Sequence, residues 1–293
     1  MKRFSIVGAN SSIARNFVYY LHDKDVEFYL YDMQPASLDA GTNYEQVNLL
    51  NMEDVSKINF DCDALFVFSG LTGAEKSITS YSAFIDVNEK ALLNILTTYV
   101  EKKSRCRILY PSSRLVYQQS DKPLKEDSPL EGRSIYALNK IAAEGYLKLF
   151  NRLYGVEYTI FRIAIPFGKM NPDSTAYGIV SNLYHQGKTN GFITVYGDGS
   201  GVRTFTHIRD ICDAFYRGAL SADTVNDVFN IGGFAYSLKQ LAQIQAEKTG
   251  ASIRYVPWPE GADKIDVSNG WLDFEKLDAR VPIAYLDILD REA

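Results

Sequence analysis

The stretch FSIVGANSSIARNF, residues 4–17, decides how the rest of the chain is interpreted. A short apolar run leads into a glycine and then into a helical pattern, the order of strand, turn and helix that opens a dinucleotide-binding unit. Only Gly8 is a glycine, because Ser11 and Ala14 stand where the second and third glycines of such a turn would fall. The turn therefore favours a bound dinucleotide without establishing one.

Length, composition and net charge exclude several classes of protein. The chain has 293 residues, enough for one large or two modest domains, and 46% of them are hydrophobic. A net charge of −5 predicts no nucleic-acid partner, since that would need a basic face. No apolar run reaches the length of a membrane span, and the run after Lys2-Arg3 is too short for a signal peptide, so we expect no membrane partner and a cytoplasmic location. The three cysteines lack CxxC spacing, so we expect neither a metal site nor a disulfide framework.

Short apolar runs alternate with longer amphipathic ones along the first part of the chain. The pattern predicts strands near 3–7, 27–31, 44–47, 63–68, 107–111 and 157–163, and helices at 12–22, 84–102 and 136–153. Alternating strands and helices are typical of parallel βαβ units, so the predicted fold is α/β with a doubly wound parallel (Rossmann) sheet. Gly155 follows the last of these helices and is a candidate C-terminal cap.

The pattern changes after about residue 165, where prolines and glycines become frequent. A strand at 193–197, a helix ending near residue 220 and a strand in DVFNIGG (227–233) follow. We therefore expect a dinucleotide-binding domain of residues 1–165 plus 206–232. A smaller α/β substrate domain would comprise residues 166–205 plus 233–293.

Asp32 ends the second predicted strand, 24 residues after Gly8. A carboxylate at that place can accept hydrogen bonds from an adenosine ribose and would repel a 2′-phosphate. The next residues, Met33 and Gln34, include no arginine that would neutralise such a phosphate. Gly8 and Asp32 together favour NAD over NADP.

A Tyr-x-x-x-Lys pair places a phenol and an ammonium one helical turn apart, and the nearby cation lowers the pKa of the phenol from its usual value of about 10. The chain has four such pairs: Tyr20/Lys24, Tyr99/Lys103, Tyr136/Lys140 and Tyr184/Lys188. Only Tyr136/Lys140 follows a strand that ends in a hydroxyl-rich turn, YPSSRLVY (110–117), at the edge that faces the cofactor. We therefore take Tyr136 as the general acid/base and interpret the other three as surface pairs.

These motifs occur in one order along the chain. Gly8, Asp32, Ser113-x-x-Val116-Tyr117, Tyr136-x-x-x-Lys140, Arg162 with Pro166-x-Gly168, GDGSGVRTFTHIRD (197–210) and DVFNIGG follow one another. In this order they resemble the extended short-chain dehydrogenases/reductases, and within them the NAD-dependent nucleotide-sugar epimerase/dehydratase family. The resemblance covers residues 1–235. Ile165 departs from it, since many relatives have an asparagine there.

The resemblance implies a role for each matching residue. Tyr136 would exchange the proton of a sugar hydroxyl, Lys140 would hold the nicotinamide ribose, and Ser113 would hydrogen-bond the same sugar oxygen. Arg203 would pair with the diphosphate of a nucleotide sugar, since a guanidinium matches phosphate oxygens. NAD is the implied cofactor and no metal ion is implied. The residues implied to contact the cofactor are Gly8, Asn10, Ser11, Ser12, Ile13, Asp32, Phe68, Ser69, Gly70, Asn88, Tyr136 and Lys140.

The resemblance also narrows the reaction. Family dehydratases carry Thr-Asp-Glu where this chain has Ser113-Arg114-Leu115, which disfavours dehydration. Arg114 also stands where GDP-fucose synthases have a cysteine, which disfavours a 3,5-epimerising reductase. Chemistry at C4 of the sugar remains: a 4-epimerase, or alternatively an NAD(P)H-dependent 4-ketoreductase of a nucleotide 4-keto-6-deoxy sugar. A non-catalytic NAD-binding relative is a second alternative.

The helices at 84–102 and 136–153 each carry an apolar stripe. Ala91, Leu92 and Ile95 lie on the first, and Ala142, Tyr146 and Phe150 on the second. Part of each stripe must pack on the chain's own sheet. Relatives pair these helices with a second copy into a four-helix bundle, so we expect a homodimer.

Overall fold

Twelve strands and eleven α-helices form the computed structural model of this chain, in which residues 1–39, 43–175, 178–265 and 269–289 are described. The strands are β1 (Lys2–Val7), β2 (Val26–Asp32), β3 (Asn43–Gln46), β4 (Ala64–Val67), β5 (Arg107–Ser113), β6 (Tyr158–Ile163), β7 (Ile165–Phe167), β8 (Phe192–Tyr196), β9 (Val202–His207), β10 (Asp227–Asn230), β11 (Phe234–Ser237) and β12 (Ser252–Val256). The helices are α1 (Ser12–Leu21), α2 (Met52–Val55), α3 (Ala74–Thr79), α4 (Tyr81–Ile85), α5 (Ala91–Glu101), α6 (Ile135–Tyr154), α7 (Ile179–Asn190), α8 (Ile208–Leu220), α9 (Leu238–Thr249), α10 (Ala262–Ile265) and α11 (Glu275–Asp278).

Seven strands form one parallel sheet in the order β10-β6-β5-β4-β1-β2-β3. The chain runs from β1 outward to β3 and then returns to β4 on the other side of β1. Strand order therefore reverses between β1 and β4, and ligands of doubly wound sheets bind at the carboxyl ends of the strands flanking such a reversal. The predicted α/β fold with a doubly wound parallel sheet is confirmed.

Helices cover both faces of this sheet. Phe17 of α1 and Phe215 of α8 pack on one face around Phe66, whose ring centroid lies 5.1 Å from that of Phe4 and 4.7 Å from that of Phe17. Helices α2, α5 and α6 bury Val55, Leu92, Ile95, Ala143 and Leu147 on the other face. Strand β4 is buried along its whole length, as a parallel strand covered on both faces must be.

A second group of elements carries its own core. Strands β11-β9-β7 form a three-stranded sheet, and β12 pairs with β8. Helices α7 and α9 pack on these strands through Leu183, Leu241 and Ala242, which join Ile193 and Val195 of β8 in one buried cluster. Strand β7 follows β6 after Ala164, so the second group stands directly beside the carboxyl end of the large sheet.

The predicted strands and helices of the large sheet match the structure to within two residues at most ends. Helix α6 begins after Ser134, whose hydroxyl accepts from the Ala137 N–H, and it ends at Gly155 with φ +71°, as predicted. The single helix predicted at 84–102 is wrong in detail. In the structure, the stretch 84–102 comprises the end of α4, a π-helical turn at Asp86–Lys90 and α5. The sequence analysis makes no prediction for strands β7, β11 and β12 or helices α7 and α9. Pro166 interrupts the pattern of β7 and Gly187 that of α7, whereas α9 contains neither glycine nor proline.

The cysteines carry free thiols, and Cys106 and Cys212 are buried, whereas Cys62 is half-buried. Within the described ranges, no helix combines the length and the apolar character that crossing a membrane requires.

A buried ion pair joins the core of the large sheet to α6. The guanidinium of Arg162 on β6 donates two hydrogen bonds to the carboxylate of Glu144 on α6, at 2.9 and 2.7 Å, and both side chains are 2% exposed. Ser112 of β5 donates to the same carboxylate at 2.6 Å. Arg162 also donates to the Tyr117 hydroxyl, which in turn donates to Asn230 at the end of β10. The network thus ties together three adjacent strand ends and a helix.

We expect Glu144→Gln to lower the free energy of unfolding by about 3–5 kcal/mol, because it leaves the Arg162 cation buried without its counter-charge. Urea denaturation followed by circular dichroism measures this. Glu247→Gln, at an exposed position on α9, is the matched control and should change stability by less than about 0.5 kcal/mol. Equal losses in the two variants would contradict a structural role for the ion pair.

Candidate active site

The Gly8 turn crosses the end of β4 with no room for a side chain. Gly8 has φ +77°, and a Cβ built on it would lie 2.3 Å from the Ser69 amide nitrogen. Both facts require glycine at this position. The Ser11 N–H donates to the Gly8 carbonyl, and the Ser11 hydroxyl accepts from the Ala14 N–H as the cap of α1. Ser11 thus serves as an N-cap, and its hydroxyl proton stays available for a ligand oxygen.

Asp32 holds the other side of the same turn. Its carboxylate oxygens accept from the Asn10 N–H at 3.0 Å and the Gln34 N–H at 3.1 Å, and each oxygen has capacity for a further bond. The Asn10 side chain braces the next loop, because it donates to the Ala36 carbonyl and accepts from the Leu38 N–H. A surface concavity of about 500 Å³ lies here, lined by Asn10, Asp32, Met33, Gln34, Pro35, Ala36 and Leu38.

A cavity of about 470 Å³ opens on the other side of the turn, at the carboxyl ends of β1, β4 and β5. The residues that line it are Ser11, Ser12, Ile13, Phe68, Ser69, Gly70, Thr72, Gly73, Pro111, Ser112, Ser113, Arg114, Leu115, Tyr136, Lys140, Ile163, Ala164, Ile165 and Pro166. The cavity brings together nine of the residues predicted for catalysis or cofactor contact. Sequence reasoning missed the contribution of Thr72, Gly73 and Arg114.

Contacts from neighbouring helices fix Tyr136 at the start of α6. Its N–H donates to the Ser77 hydroxyl of α3 at 3.1 Å, and its ring stands edge-on to that of Phe84 of α4, with centroids 6.5 Å apart. The side chain is 8% exposed and lines the cavity. Because its backbone and ring are both held, the phenol presents its hydroxyl from a defined position.

Lys140 lies one turn further along α6 and is buried. Its ammonium donates to the Pro111 carbonyl at 2.7 Å and the Tyr110 hydroxyl at 3.1 Å, and stands 5.9 Å from the centroid of the Tyr136 ring. Burial lowers the pKa of Lys140 to about 7, and the negative charge of Glu144 opposes that shift only in part. The predicted cation therefore lies beside the predicted phenol, at a cost in desolvation.

Ser113 ends β5 and caps a single 3₁₀ turn, Arg114–Val116. Its hydroxyl accepts from the Leu115 N–H at 3.2 Å. This turn directs the chain along the cavity wall, so Ser113, Arg114 and Leu115 all line the cavity in succession. The serine that the sequence singled out is thus held at the cavity edge with a proton left to donate.

Asn88 and Arg203, two of the predicted site residues, line neither of these concavities. Asn88, in the π-helical turn, accepts from the Leu71 N–H and donates to the Leu71 carbonyl, so it anchors the loop after β4. Arg203 of β9 is buried and lines a separate concavity of about 240 Å³ together with Tyr196 and Trp258, whose rings stack 5.7 Å apart. Both residues remain predictions for cofactor and substrate contact, respectively.

The other tyrosine–lysine pairs are not equivalent to Tyr136/Lys140. Tyr99 is buried in the core of the large sheet and Lys103 lies beyond the end of α5, so the prediction of a surface pair is wrong for Tyr99. In the remaining two pairs the ammonium lies over the tyrosine ring, at 4.6 Å for Lys24 and 5.9 Å for Lys188. Neither pair lines the cavity.

The two concavities on either side of Gly8 fit a dinucleotide. The Asp32 carboxylate suits a ribose diol, the N-terminus of α1 suits a pyrophosphate, and Lys140 and Tyr136 stand where the second ribose would reach. A Cβ at Gly8 would collide with the backbone of Phe68 and Ser69, so the glycine lets the turn between these regions lie against the end of β4. The residues present therefore fit the cofactor that the sequence implied.

Comparisons with known proteins agree with this geometry. Residues 4–232 match the family model described as "NAD dependent epimerase/dehydratase family". A putative UDP-glucose 4-epimerase of Methanocaldococcus jannaschii is 27% identical over 76% of this chain and 68% of that protein. A UDP-glucuronate 4-epimerase of Thermodesulfobacterium geofontis is 24% identical over 86% of this chain and 77% of that protein.

The fold also matches solved structures. The UDP-glucose 4-epimerase of Thermus thermophilus in complex with NAD superposes with a TM-score of 0.81, covering 94% of this chain and 92% of that one at 20% identity. At that identity the match bears on the fold alone. The family match confirms the resemblance and, with it, NAD as the cofactor.

The lowered pKa of Lys140 predicts a stability difference that depends on pH. Between about pH 7 and pH 10.5 the unfolded chain binds a proton at this lysine that the folded chain does not, so folded wild type gains stability as pH rises. Lys140→Met removes that gain. We compare the free energy of unfolding of Lys140→Met with that of wild type at each pH. The variant's value minus the wild-type value should be about 2–3 kcal/mol larger at pH 6.5 than at pH 9.5.

Urea denaturation at the two pH values measures this difference. Lys188→Met is the matched control, since Lys188 is exposed and also follows a tyrosine by four residues. A Lys140→Met effect that is the same at both pH values would mean that the ammonium is not desolvated.

Proposed function

This chain belongs to the NAD-dependent epimerase/dehydratase family, and we propose that it is a 4-epimerase of a nucleotide-diphosphate sugar. The observation that carries the proposal is the cavity in which Ser113, Tyr136 and Lys140 meet beside the Gly8 turn. Relatives named as UDP-glucose and UDP-glucuronate 4-epimerases support the same reaction at the level of the family.

Tyr136 is the proposed acid/base. Its phenolate would take the proton of the sugar C4 hydroxyl as that carbon is oxidised, and the resulting phenol would return the proton when the carbon is reduced on the other face. Bound NAD supplies the hydride acceptor for this chemistry. When it is protonated, Lys140 favours the phenolate by its charge, and Ser113 donates a hydrogen bond to the sugar oxygen while the proton moves.

Dehydration is disfavoured by the chemistry of the cavity wall. Elimination of water needs further groups that remove a proton from carbon and protonate the leaving hydroxyl. Where family dehydratases have Asp and Glu, this chain has Arg114 and Leu115, and the described lining residues include no carboxylate. An arginine stays protonated at working pH and a leucine does not titrate.

Two alternatives differ from the epimerase in testable ways. A 4-ketoreductase would use the same three residues but would exchange its cofactor at every turnover. A non-catalytic NAD-binding relative would keep the cofactor site and have no use for a positioned phenol. The restraint of Tyr136 by Ser77 and Phe84 supports an enzyme.

We also propose a homodimer formed through α6. Ala91, Leu92 and Ile95 of α5 are buried in the chain's own core, so the predicted stripe on that helix is not available to a partner. On α6, Leu138, Leu149 and Leu153 are exposed and share one face at helical spacing. Tyr81 and Ile85 of the neighbouring α4 are exposed as well. A second copy would cover this apolar surface.

We expect denaturation of the purified protein to release about one NAD per chain, because an epimerase regenerates its own hydride acceptor. Absorbance and chromatography measure the released nucleotide. Tyr136→Phe should release the same amount and lose roughly 10²–10⁴-fold in turnover, since only the proton transfer is removed.

Each alternative gives a different result. An empty protein that binds added NAD(P)H and reduces a keto sugar would favour the ketoreductase. Bound NAD with no turnover of any nucleotide sugar would favour the non-catalytic relative. Failure to bind any nicotinamide dinucleotide would overturn the proposal.

Light scattering at micromolar concentration should give twice the chain mass of 33.0 kDa. Leu149→Glu together with Leu153→Glu should shift the mass to one chain, because two charges would be buried in the interface. Ile78→Glu with Leu220→Glu, at exposed positions off α6, is the control and should leave the mass unchanged. A monomeric wild type would contradict the dimer.

A further inference from the structure

We propose that Cys62 and Cys106 form a redox-active dithiol, which hydrogen peroxide oxidises to a disulfide within the chain. The inference concerns the amino ends of β4 and β5, whereas the proposed active site lies at the carboxyl ends of the same strands, and it does not rest on the proposed function. Because the chain has no CxxC spacing, tertiary packing must bring the two cysteines together.

The two cysteines lie just before neighbouring strands. Strands β4 and β5 pair in register from Ala64 and Arg107, and the Arg107 N–H donates to the Asp63 carbonyl at 3.2 Å. Cys62 directly precedes Asp63, and Cys106 directly precedes Arg107. One strand spacing of about 4.8 Å and one residue rise of about 3.3 Å thus separate their Cα atoms by roughly 6 Å. A disulfide spans about 4.4–6.8 Å between Cα atoms.

The two thiols also face each other. Both side chains pack in the apolar cluster that contains Phe60 and Tyr99. The Cys106 thiol donates a hydrogen bond to the Cys62 sulfur, and the Ser104 hydroxyl donates to the Cys106 sulfur at 3.2 Å. Sulfur atoms in such contact can be joined with little movement of the backbone.

The environments of the two thiols differ and assign a role to each. The hydrogen bond from Cys106 lowers the pKa of the Cys62 thiol, whereas that same contact and burial raise the pKa of Cys106. Cys62 is half-buried and Cys106 is 1% exposed, so the peroxide reaches Cys62 first. The thiolate is the form that attacks a peroxide. Cys62 is therefore the attacking sulfur and Cys106 the resolving one, a pairing typical of redox-sensing cysteines.

Two steps account for the atoms and electrons. The Cys62 thiolate attacks one peroxide oxygen, so an S–O bond forms, the O–O bond breaks, and hydroxide leaves with the proton that the Cys62 thiol released, as water. The Cys106 sulfur then attacks the Cys62 sulfur, and the S–S bond forms as the S–O bond breaks. The hydroxide of the sulfenic acid leaves with the Cys106 proton as a second water. Two electrons pass from the sulfurs to the peroxide, and a small dithiol reverses the product by thiol–disulfide exchange.

The third cysteine is an internal control. Cys212 of α8 is fully buried in the cluster on the other face of the large sheet, and burial raises the pKa of its thiol. It has no cysteine partner in that cluster of described residues. We therefore expect Cys212 to remain a thiol under the conditions that oxidise the pair.

The test treats reduced, purified protein with a small excess of hydrogen peroxide at neutral pH and counts thiols after denaturation. We expect the count to fall from three per chain to one. Mass spectrometry should find a chain lighter by two hydrogen atoms and a pair of peptides joined through Cys62 and Cys106. Dithiothreitol should restore all three thiols.

Single variants test the assigned roles. Cys106→Ala should leave Cys62 as a sulfenic acid that dimedone traps, and Cys62→Ala should leave Cys106 a thiol. Cys212→Ala is the matched control and should lose both of its remaining thiols to the same disulfide. The peptide map of the wild-type protein needs no variant, so the proposal stays testable if a variant fails to fold.

Every outcome bears on the pair. Joined peptides that dithiothreitol separates support the proposal. It is overturned by a thiol count that stays at three, by Cys62 oxidised to sulfinic acid beside a Cys106 thiol, or by a disulfide between two chains. Oxidation of Cys106 in Cys62→Ala at the wild-type rate overturns the order of the two steps. The nucleotide released on denaturation is measured separately, so failure of the dithiol leaves the proposed function standing.

Discussion

The buried ion pair between Glu144 and Arg162 is the constraint on which the site depends. A carboxylate and a guanidinium are sealed from water, so neither can move without leaving the other unpaired. Glu144 lies one turn after Lys140 on α6, and its carboxylate also accepts from Ser112, the residue before Ser113. The pair therefore fixes the register between the helix that carries the phenol and the strand end that carries the serine. Sub-ångström placement of catalytic groups needs such support from residues that take no part in the chemistry.

Lys140 is also buried, but its hydrogen bonds differ from those of the Glu144–Arg162 pair. Its hydrogen bonds go to the neutral oxygens of Pro111 and Tyr110, and burial holds its pKa near 7. A chain selected for stability alone would pair this ammonium or replace it. The Arg162 cation is thus paired with a carboxylate to hold the structure, whereas the buried Lys140 releases its proton at about pH 7, close to the ring of Tyr136. Side chains whose pKa is strongly shifted by burial concentrate at functional sites.

How much the sequence could predict depends on the range of each interaction. The Gly8 turn, Asp32 and the caps of α6 are local, so a short stretch of residues contains the whole physical reason for them. Choosing Tyr136/Lys140 among four pairs needed only the order of strands. The pairing of Glu144 with Arg162 could not be predicted, since it joins two elements through tertiary packing. The burial of Tyr99 and the inward position of Arg114 are likewise set by how helices and turns pack on the sheet.

The side chains that line the cavity limit which proton transfers the site can support. An epimerase needs one group that takes a proton from oxygen and gives it back, and this is the role proposed for Tyr136. A dehydratase needs two more groups that exchange protons, which an arginine and a leucine cannot provide at neutral pH.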